Sequence, residues 1–163
     1  PNTVYEAVRS AADLGVWMIN VHASGGKNML EASKNALIDF DEPPLLIAVT
    51  LLTSLSENSI QEIGLNNLSE QVLRLAKLSH ECELDGVVCA SSDTVIIKQE
   101  FGKEFITVTP GIRPDQSNLN DQSRVSTPSE AVKNGSDFLV IGRPITESDD
   151  PAGALKDIYK QII

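Results

Sequence analysis

Residues 138–146 read FLVIGRPIT, four apolar residues that run into Gly142 and Arg143. A continuous apolar run is typical of a strand buried on both faces of a parallel sheet, and the glycine marks where the strand ends. Four earlier runs have the same character, and helical patterns separate them. These runs are VWMINVHA (16–23), LLIAVTLL (45–52), GVVCA (86–90) and FITVTP (105–110). Strands that alternate with helices in this way predict a parallel α/β fold.

Helix starts are marked most clearly in the last quarter of the chain. Thr127 is a predicted N-cap, Pro128 takes the first helical position, and Glu130 completes a capping box. Asp150 and Pro151 repeat the cap-then-proline signal and predict a final helix. Helices at these places would cover the sheet on both sides of the FLVIGR strand.

The predicted parallel sheet fits either a closed β/α barrel or an open doubly wound sheet. No G-x-G-x-x-G sequence follows the first strand, so the dinucleotide-binding form of the open sheet lacks its fingerprint. A complete TIM (β/α)8 barrel takes about 250 residues. We therefore expect residues 1–163 to form one partial barrel domain, comprising about the last five β/α units.

Composition argues against several functional classes. The net charge of −10, from 23 acidic and 13 basic side chains, disfavours binding to nucleic acid. No apolar stretch approaches the roughly 20 residues of a membrane helix, and the first residues lack a signal-peptide pattern, so we expect a cytoplasmic protein without a membrane partner. Cys82 and Cys89 match neither a redox motif nor a zinc motif, which predicts reduced structural thiols.

Three of the five arginines, Arg113, Arg124 and Arg143, follow the last two predicted strands. In a barrel these segments lie side by side at the carboxyl ends of the strands, where phosphate sites are common. Gly142 would let the backbone approach an anion, and the Arg143 guanidinium matches phosphate oxygens. The polar stretch 111–126 has the length of a functional lid or binding loop. Together these features favour a phosphate site.

A plainer interpretation of Arg143 is an ion pair that only closes the end of the barrel. Glu147 and Asp149 are acidic neighbours in sequence that would serve as its partner. The two additional arginines and Gln122 in the preceding polar stretch favour the phosphate interpretation over this one.

Six short motifs match one family in order and spacing. They are PNT (1–3), VHASGG (21–26), AVTLLTS (48–54), VTPGIRP (108–114), DQSR (121–124) and VIGRPIT (140–146). Together they resemble bacterial orotidine 5′-phosphate decarboxylase along the whole chain. The resemblance implies a barrel that converts orotidine 5′-monophosphate to uridine 5′-monophosphate and CO2 without a metal or organic cofactor. It also implies a homodimer with shared active sites.

The resemblance assigns the phosphate contacts to residues of three motifs. Gly142 and Arg143 would hold the 5′-phosphate, with Arg113 and Gln122 closing over it. Gln122 would also bridge the phosphate and the pyrimidine.

Two threonines have family roles beside simpler ones. The resemblance implies that Thr53 reads the pyrimidine edge, whereas from sequence alone its hydroxyl would cap a strand end. Thr3 would reach the ribose in the neighbouring subunit's site, and from sequence alone it is an N-cap of the first helix. His22 is expected to be a hydrogen-bonded structural residue. Asp85 and Asp137, at strand starts, are expected to be helix-end or surface groups far from the chemistry.

The family's catalytic lysines and aspartates would precede Pro1, so no catalytic residue is assigned within this chain. We expect residues 1–163 alone to lack decarboxylase activity. Two other functions remain open at this point. One is a metal-dependent decarboxylase or aldolase acting on a sugar phosphate, and the other is a noncatalytic phosphate-binding half-barrel.

Overall fold

The computed structural model describes residues 1–114 and 124–163, which contain one five-stranded sheet and eight α-helices. The strands are β1 (Met18–His22), β2 (Leu45–Val49), β3 (Gly86–Val88), β4 (Ile106–Thr109) and β5 (Phe138–Leu139). The helices are α1 (Asn2–Asp13), α2 (Lys27–Asn35), α3 (Glu57–Glu62), α4 (Leu68–Glu81), α5 (Ser91–Phe101), α6 (Pro128–Lys133), α7 (Arg143–Thr146) and α8 (Pro151–Tyr159).

The sheet is entirely parallel, and its strands lie in chain order from β1 to β5. An open doubly wound sheet reverses its strand order at a switch point, whereas a barrel adds each strand beside the last. The sheet is also strongly curved, because the rings of Trp17, before β1, and Phe138, in β5, have centroids 5.2 Å apart. The structure therefore confirms the expected α/β architecture as a section of barrel wall.

Helices cover the outer face of this wall and bury its core. One apolar cluster joins α1 and α2 to the first two strands, with Leu30 and Leu46 fully buried. A second joins α4 and α5 to β3 around Val72, Ala76 and Ile97. Burying one such aliphatic side chain contributes about 1.5–3 kcal/mol, so these faces fix the helices on the sheet.

The expectation that every strand is buried on both faces is wrong for the two outer strands. The middle strands are largely buried, but Asn20 and His22 of β1 and Phe138 of β5 are exposed. Each outer strand has a neighbour on one side only in the described sheet. The last strand is also shorter than its apolar run, since β5 ends at Leu139 and Val140 is half exposed.

The predicted helix starts are confirmed. The Thr127 hydroxyl accepts a hydrogen bond from the Glu130 backbone N–H at 3.3 Å, and the Glu130 carboxylate accepts one from the Thr127 N–H at 2.9 Å. Asp150 accepts from the Gly153 N–H at 3.0 Å. Across the described ranges, no helix has both the length and the apolar character needed to cross a membrane.

Asp85 and Asp137 lie at the amino ends of β3 and β5, but they are not merely surface groups. Asp85 accepts a hydrogen bond from the Leu46 backbone N–H at 2.7 Å, and Asp137 accepts one from the Thr107 N–H at 2.7 Å. Each carboxylate therefore ties the start of its own strand to the preceding strand. Lys98 donates to Asp137 at 2.6 Å, which adds an ion pair to the second tie.

Candidate active site

The segments that follow β4 and β5 meet at the carboxyl ends of the strands. Arg113, after β4, and Arg143, after β5, line one cavity of about 460 Å³. Pro114 and Pro144 lie beside them, and α8 forms the remaining wall. Adjacent strands bring the arginines together although 30 positions separate them in sequence. The cavity is therefore a concave space with two arginines among its lining residues.

Arg113 is held firmly in this position. Only 6% of its surface is exposed, and its Nη1 donates to the Ile112 carbonyl at 2.8 Å. Its backbone N–H donates to the Ser126 carbonyl at 2.9 Å, as part of a parallel bridge between Ile112 and Ser126. A buried cation interacts more strongly with an anion than an exposed one does, because water screens it less.

Arg143 is the first residue of α7, and Gly142 is its N-cap. A Cβ added at Gly142 would have no heavy atom within 4 Å, so the glycine leaves the backbone open at this point. Pro144 follows at the start of the helix. The open backbone and the half-buried guanidinium are what a phosphate group requires at close range.

Two acidic residues also line the cavity. Glu147 lies one helical turn after Arg143, so the ion-pair interpretation of Arg143 has a candidate partner on the same wall. Asp157 pairs with Lys160 at 2.8 Å, and this contact lowers the pKa of the Asp157 carboxyl. Glu147 and an anion bound in this cavity would therefore compete for Arg143.

Arg124 does not join the other two arginines, contrary to the sequence-based grouping. Its Nη1 lies 2.5 Å from a carboxylate oxygen of Asp93, and its Nη2 donates to the Leu51 and Leu52 carbonyls at 3.4 Å. Burial raises the pKa of the Asp93 carboxyl, and the Arg124 charge opposes that rise. The buried carboxylate at the start of α5 requires a cation, and Arg124 supplies it.

Thr53 is buried in the segment that follows β2. Its backbone carbonyl accepts a hydrogen bond from the Arg124 backbone N–H at 3.2 Å. The contact joins the candidate pyrimidine-binding segment to the chain that leads into α6. Sequence reasoning missed this connection, since nothing local to Thr53 or Arg124 indicates it.

Thr3 lies exposed in the first turn of α1. The N-cap prediction for Thr3 is wrong, because α1 begins at Asn2 with Pro1 at the N-cap position and no side-chain cap. Helices in β/α units run back along the strands, so the amino end of α1 points to the same carboxyl-end face as the cavity.

Gln122 lies outside the described residues, and its assigned role stays a prediction.

Several remaining predictions concern reactive side chains. His22 is exposed at the end of β1 and lines a second cavity of about 740 Å³ with Ser24 and Thr50. Cys82 and Cys89 are both buried and unbridged, in agreement with structural thiols. Within residues 1–114 and 124–163, no group of three or more His, Cys, Asp or Glu side chains is placed to hold a metal ion.

A parallel wall of strands in chain order, with a cavity at the carboxyl ends of its last two strands, defines the class as a β/α-barrel protein. The family model described as Orotidine 5′-phosphate decarboxylase / HUMPS family matches residues 1–158. The chain belongs to this family.

Individual relatives agree with this assignment. The chain is 51% identical to orotidine 5′-phosphate decarboxylase of Saccharophagus degradans, over 99% of this chain and 68% of that protein. It is 55% identical to the enzyme of the same name from Dichelobacter nodosus, over 97% of this chain and 69% of that protein. The crystal structure of orotidine 5′-phosphate decarboxylase from Lactobacillus acidophilus superposes with a TM-score of 0.84 at 38% identity, covering 99% of this chain and 70% of that one. These relatives support the decarboxylase reading over the metal-dependent sugar-phosphate alternative.

Proposed function

We propose that this protein is a carboxy-lyase that converts orotidine 5′-monophosphate to uridine 5′-monophosphate and CO2, and that Arg113 and Arg143 hold the 5′-phosphate. Family membership and relatives of about 50% identity named for this reaction support the activity. The observation that carries the binding proposal is that Arg113 and Arg143 line the same cavity. The VTPGIRP and VIGRPIT motifs contribute one arginine each.

The chemistry of the cavity suits a phosphate dianion. Guanidinium groups present planar pairs of donors that match two phosphate oxygens, and such charge-assisted bonds are short and strong. Arg113 is nearly buried, so its charge is weakly screened there. Gly142 adds open backbone beside Arg143.

Phosphate binding also serves the reaction at a distance. The phosphate is remote from the carboxylate that leaves the pyrimidine, and binding energy from such remote groups can be used to organise the reacting centre. Loss of a phosphate contact therefore lowers kcat as well as substrate affinity. The resemblance places the lysines and aspartates of the chemical step in a segment that would precede Pro1, so the residues proposed here bind substrate.

The remaining contacts extend the site across the face of the barrel. We propose that Thr53 reads the pyrimidine edge and that Gln122 joins the pyrimidine to the phosphate. In this proposal, Thr3 reaches the ribose bound by a neighbouring subunit. The protein is then a homodimer with shared active sites, and it is located in the cytoplasm. The exposed position of Thr3 at the amino end of α1 supports this assignment, because a residue that serves another subunit must lie on the surface.

The test is Arg143→Ala in the protein expressed with any residues encoded upstream of Pro1. We expect kcat/KM for orotidine 5′-monophosphate to fall by roughly tenfold to a hundredfold or more, the scale of one charge-assisted hydrogen-bond pair. Arg9→Ala is the matched control, since Arg9 pairs with Asp39 near the surface at 3.4 Å and should leave kcat/KM unchanged. Unchanged kinetics in Arg143→Ala would contradict the phosphate assignment. Residues 1–163 expressed alone should show no decarboxylation.

A further inference from the structure

The short segment from Arg124 to Ser126 contacts both parts of the proposed substrate site. On one side, Arg113 donates its backbone N–H to the Ser126 carbonyl at 2.9 Å, and Ser126 donates to the Gly111 carbonyl at 3.3 Å. On the other side, the Arg124 backbone N–H donates to the Thr53 carbonyl at 3.2 Å. One stretch of backbone therefore joins a proposed phosphate-binding residue to a proposed pyrimidine-binding residue.

A buried ion pair fixes this segment to the rest of the barrel. The Arg124 and Asp93 side chains are 15% and 6% exposed, and the nearest nitrogen and oxygen lie 2.5 Å apart. Asp93 belongs to the first turn of α5, whose helix packs into the second core cluster through Ile97. Arg124 Nη2 also donates to the Leu51 and Leu52 carbonyls, directly before Thr53. The guanidinium therefore links a fixed helix to the segments that follow β2 and β4.

Both terminal nitrogens of the guanidinium are engaged by these contacts. Arg124 Nε is buried without a hydrogen-bond partner among the described residues, beside an Nη1 that meets Asp93 and an Nη2 that meets two carbonyls. A buried donor without a partner has a cost, and the Asp93 pair and the two carbonyl bonds offset it. A position maintained at this cost indicates a requirement for a defined geometry.

We propose that Asp93 and Arg124 form a positioning pair that sets the distance between the phosphate-binding and pyrimidine-binding parts of the site. The proposal rests on the proposed function, in which Arg113 and Thr53 contact the two ends of the nucleotide. Neither member of the pair touches the substrate. The pair acts through backbone hydrogen bonds to Thr53 and, by way of Ser126, to Arg113. A displacement of about 1 Å between binding groups is enough to reduce catalysis by about a hundredfold.

A second ion pair, between α5 and the residue before β5, provides a matched control. Lys98 and Asp137 lie 2.6 Å apart with side chains 13% and 36% exposed, at the amino ends of the strands and away from the cavity. Substitution of either pair should lower Tm, because each joins α5 to another segment of the barrel. Only the Asp93 and Arg124 pair is connected to the substrate-binding segments.

The experiment compares two double variants. The first combines Arg124→Gln with Asp93→Asn, so that no unpaired charge is left. The second, the control, combines Lys98→Gln with Asp137→Asn. Both are made in the protein expressed with any residues upstream of Pro1. All proteins are assayed at one temperature well below the lowest Tm among them, with folding checked by circular dichroism. We expect the first double variant to lower kcat by about tenfold or more and to weaken binding of uridine 5′-monophosphate in calorimetry. The control should retain both values. Arg124→Lys, which keeps the charge but loses the fork of donors, should fall between wild type and the double variant.

Equal kcat and equal nucleotide affinity in the two double variants would overturn the positioning role, even if both lose thermal stability. Should the first double variant fail to fold, Arg124→Lys decides the matter, since wild-type kinetics in that variant would also overturn it. Failure of the proposed function has a different signature: the wild-type protein would neither decarboxylate orotidine 5′-monophosphate nor bind uridine 5′-monophosphate.

Discussion

Replacing Asp137 with alanine removes three hydrogen bonds that converge on one carboxylate oxygen. Asp137 Oδ2 accepts from the Thr107 N–H at 2.7 Å, from the Thr107 hydroxyl at 3.0 Å and from Lys98 Nζ at 2.6 Å. Thr107 is fully buried, so its N–H would lose its partner away from water at a cost of about 1–3 kcal/mol. Lys98 would keep its bonds to the Lys103 and Phe105 carbonyls, which limits the penalty for its charge.

We therefore expect Asp137→Ala to lower the free energy of unfolding by about 3 kcal/mol, combining the orphaned N–H with a partly screened ion pair. Asp85→Ala is the internal control, because Asp85 makes the same bond to the Leu46 N–H but meets Lys34 only at 3.9 Å. Its cost should be about 1–2 kcal/mol. Urea unfolding with an unchanged m-value measures both. An Asp137→Ala cost equal to or below that of Asp85→Ala would refute the reasoning.

Three further predictions concern packing, capping and thiol reactivity. Gly86→Ala should destabilise the protein by about 2–3 kcal/mol in urea unfolding, because the new Cβ would collide with the Ile106 backbone carbonyl on the neighbouring strand. A urea midpoint equal to that of the wild type would show that β3 and β4 are not so close. Thr127→Ala should cost about 1 kcal/mol at pH 7. Hydrogen bonds from the Thr127 backbone and hydroxyl lower the pKa of the Glu130 carboxyl, so the stabilisation from these two bonds is present above the ordinary glutamate pKa and is lost as pH falls through the lowered value. The difference between variant and wild type should therefore narrow from pH 7 to 3 without closing, because the bond from the Glu130 N–H to the Thr127 hydroxyl does not titrate. Burial raises the pKa of the Cys89 thiol to about 12. A thiol reagent at pH 8 should therefore label Cys89 only as fast as the protein opens. Rapid stoichiometric labelling would contradict the burial of this thiol.

The features that the sequence predicted well are those encoded locally. An apolar run such as LLIAVTLL identifies β2 by itself, and the Thr127, Pro128 and Glu130 sequence identifies the start of α6. Chain-ordered parallel strands then bring Arg113 and Arg143 together without further information, because the segments after neighbouring strands are themselves neighbours.

The features that the sequence missed depend on contacts between distant segments. The sequence grouped Arg124 with the other two arginines in support of a phosphate site, but its partner Asp93 lies 31 positions earlier and no local pattern connects them. The exposure of β1 and β5 follows from their places at the two sides of the described sheet rather than from their apolar sequences. Helix α3 was missed because six residues provide less than two turns of periodicity.

The most direct test of the central claim is a crystal structure of the protein, with any residues upstream of Pro1, bound to uridine 5′-monophosphate. The account predicts phosphate oxygens about 2.7–2.9 Å from guanidinium nitrogens of both Arg113 and Arg143, within the cavity that these residues line. A phosphate bound elsewhere, with the Arg143 guanidinium paired to Glu147, would contradict it.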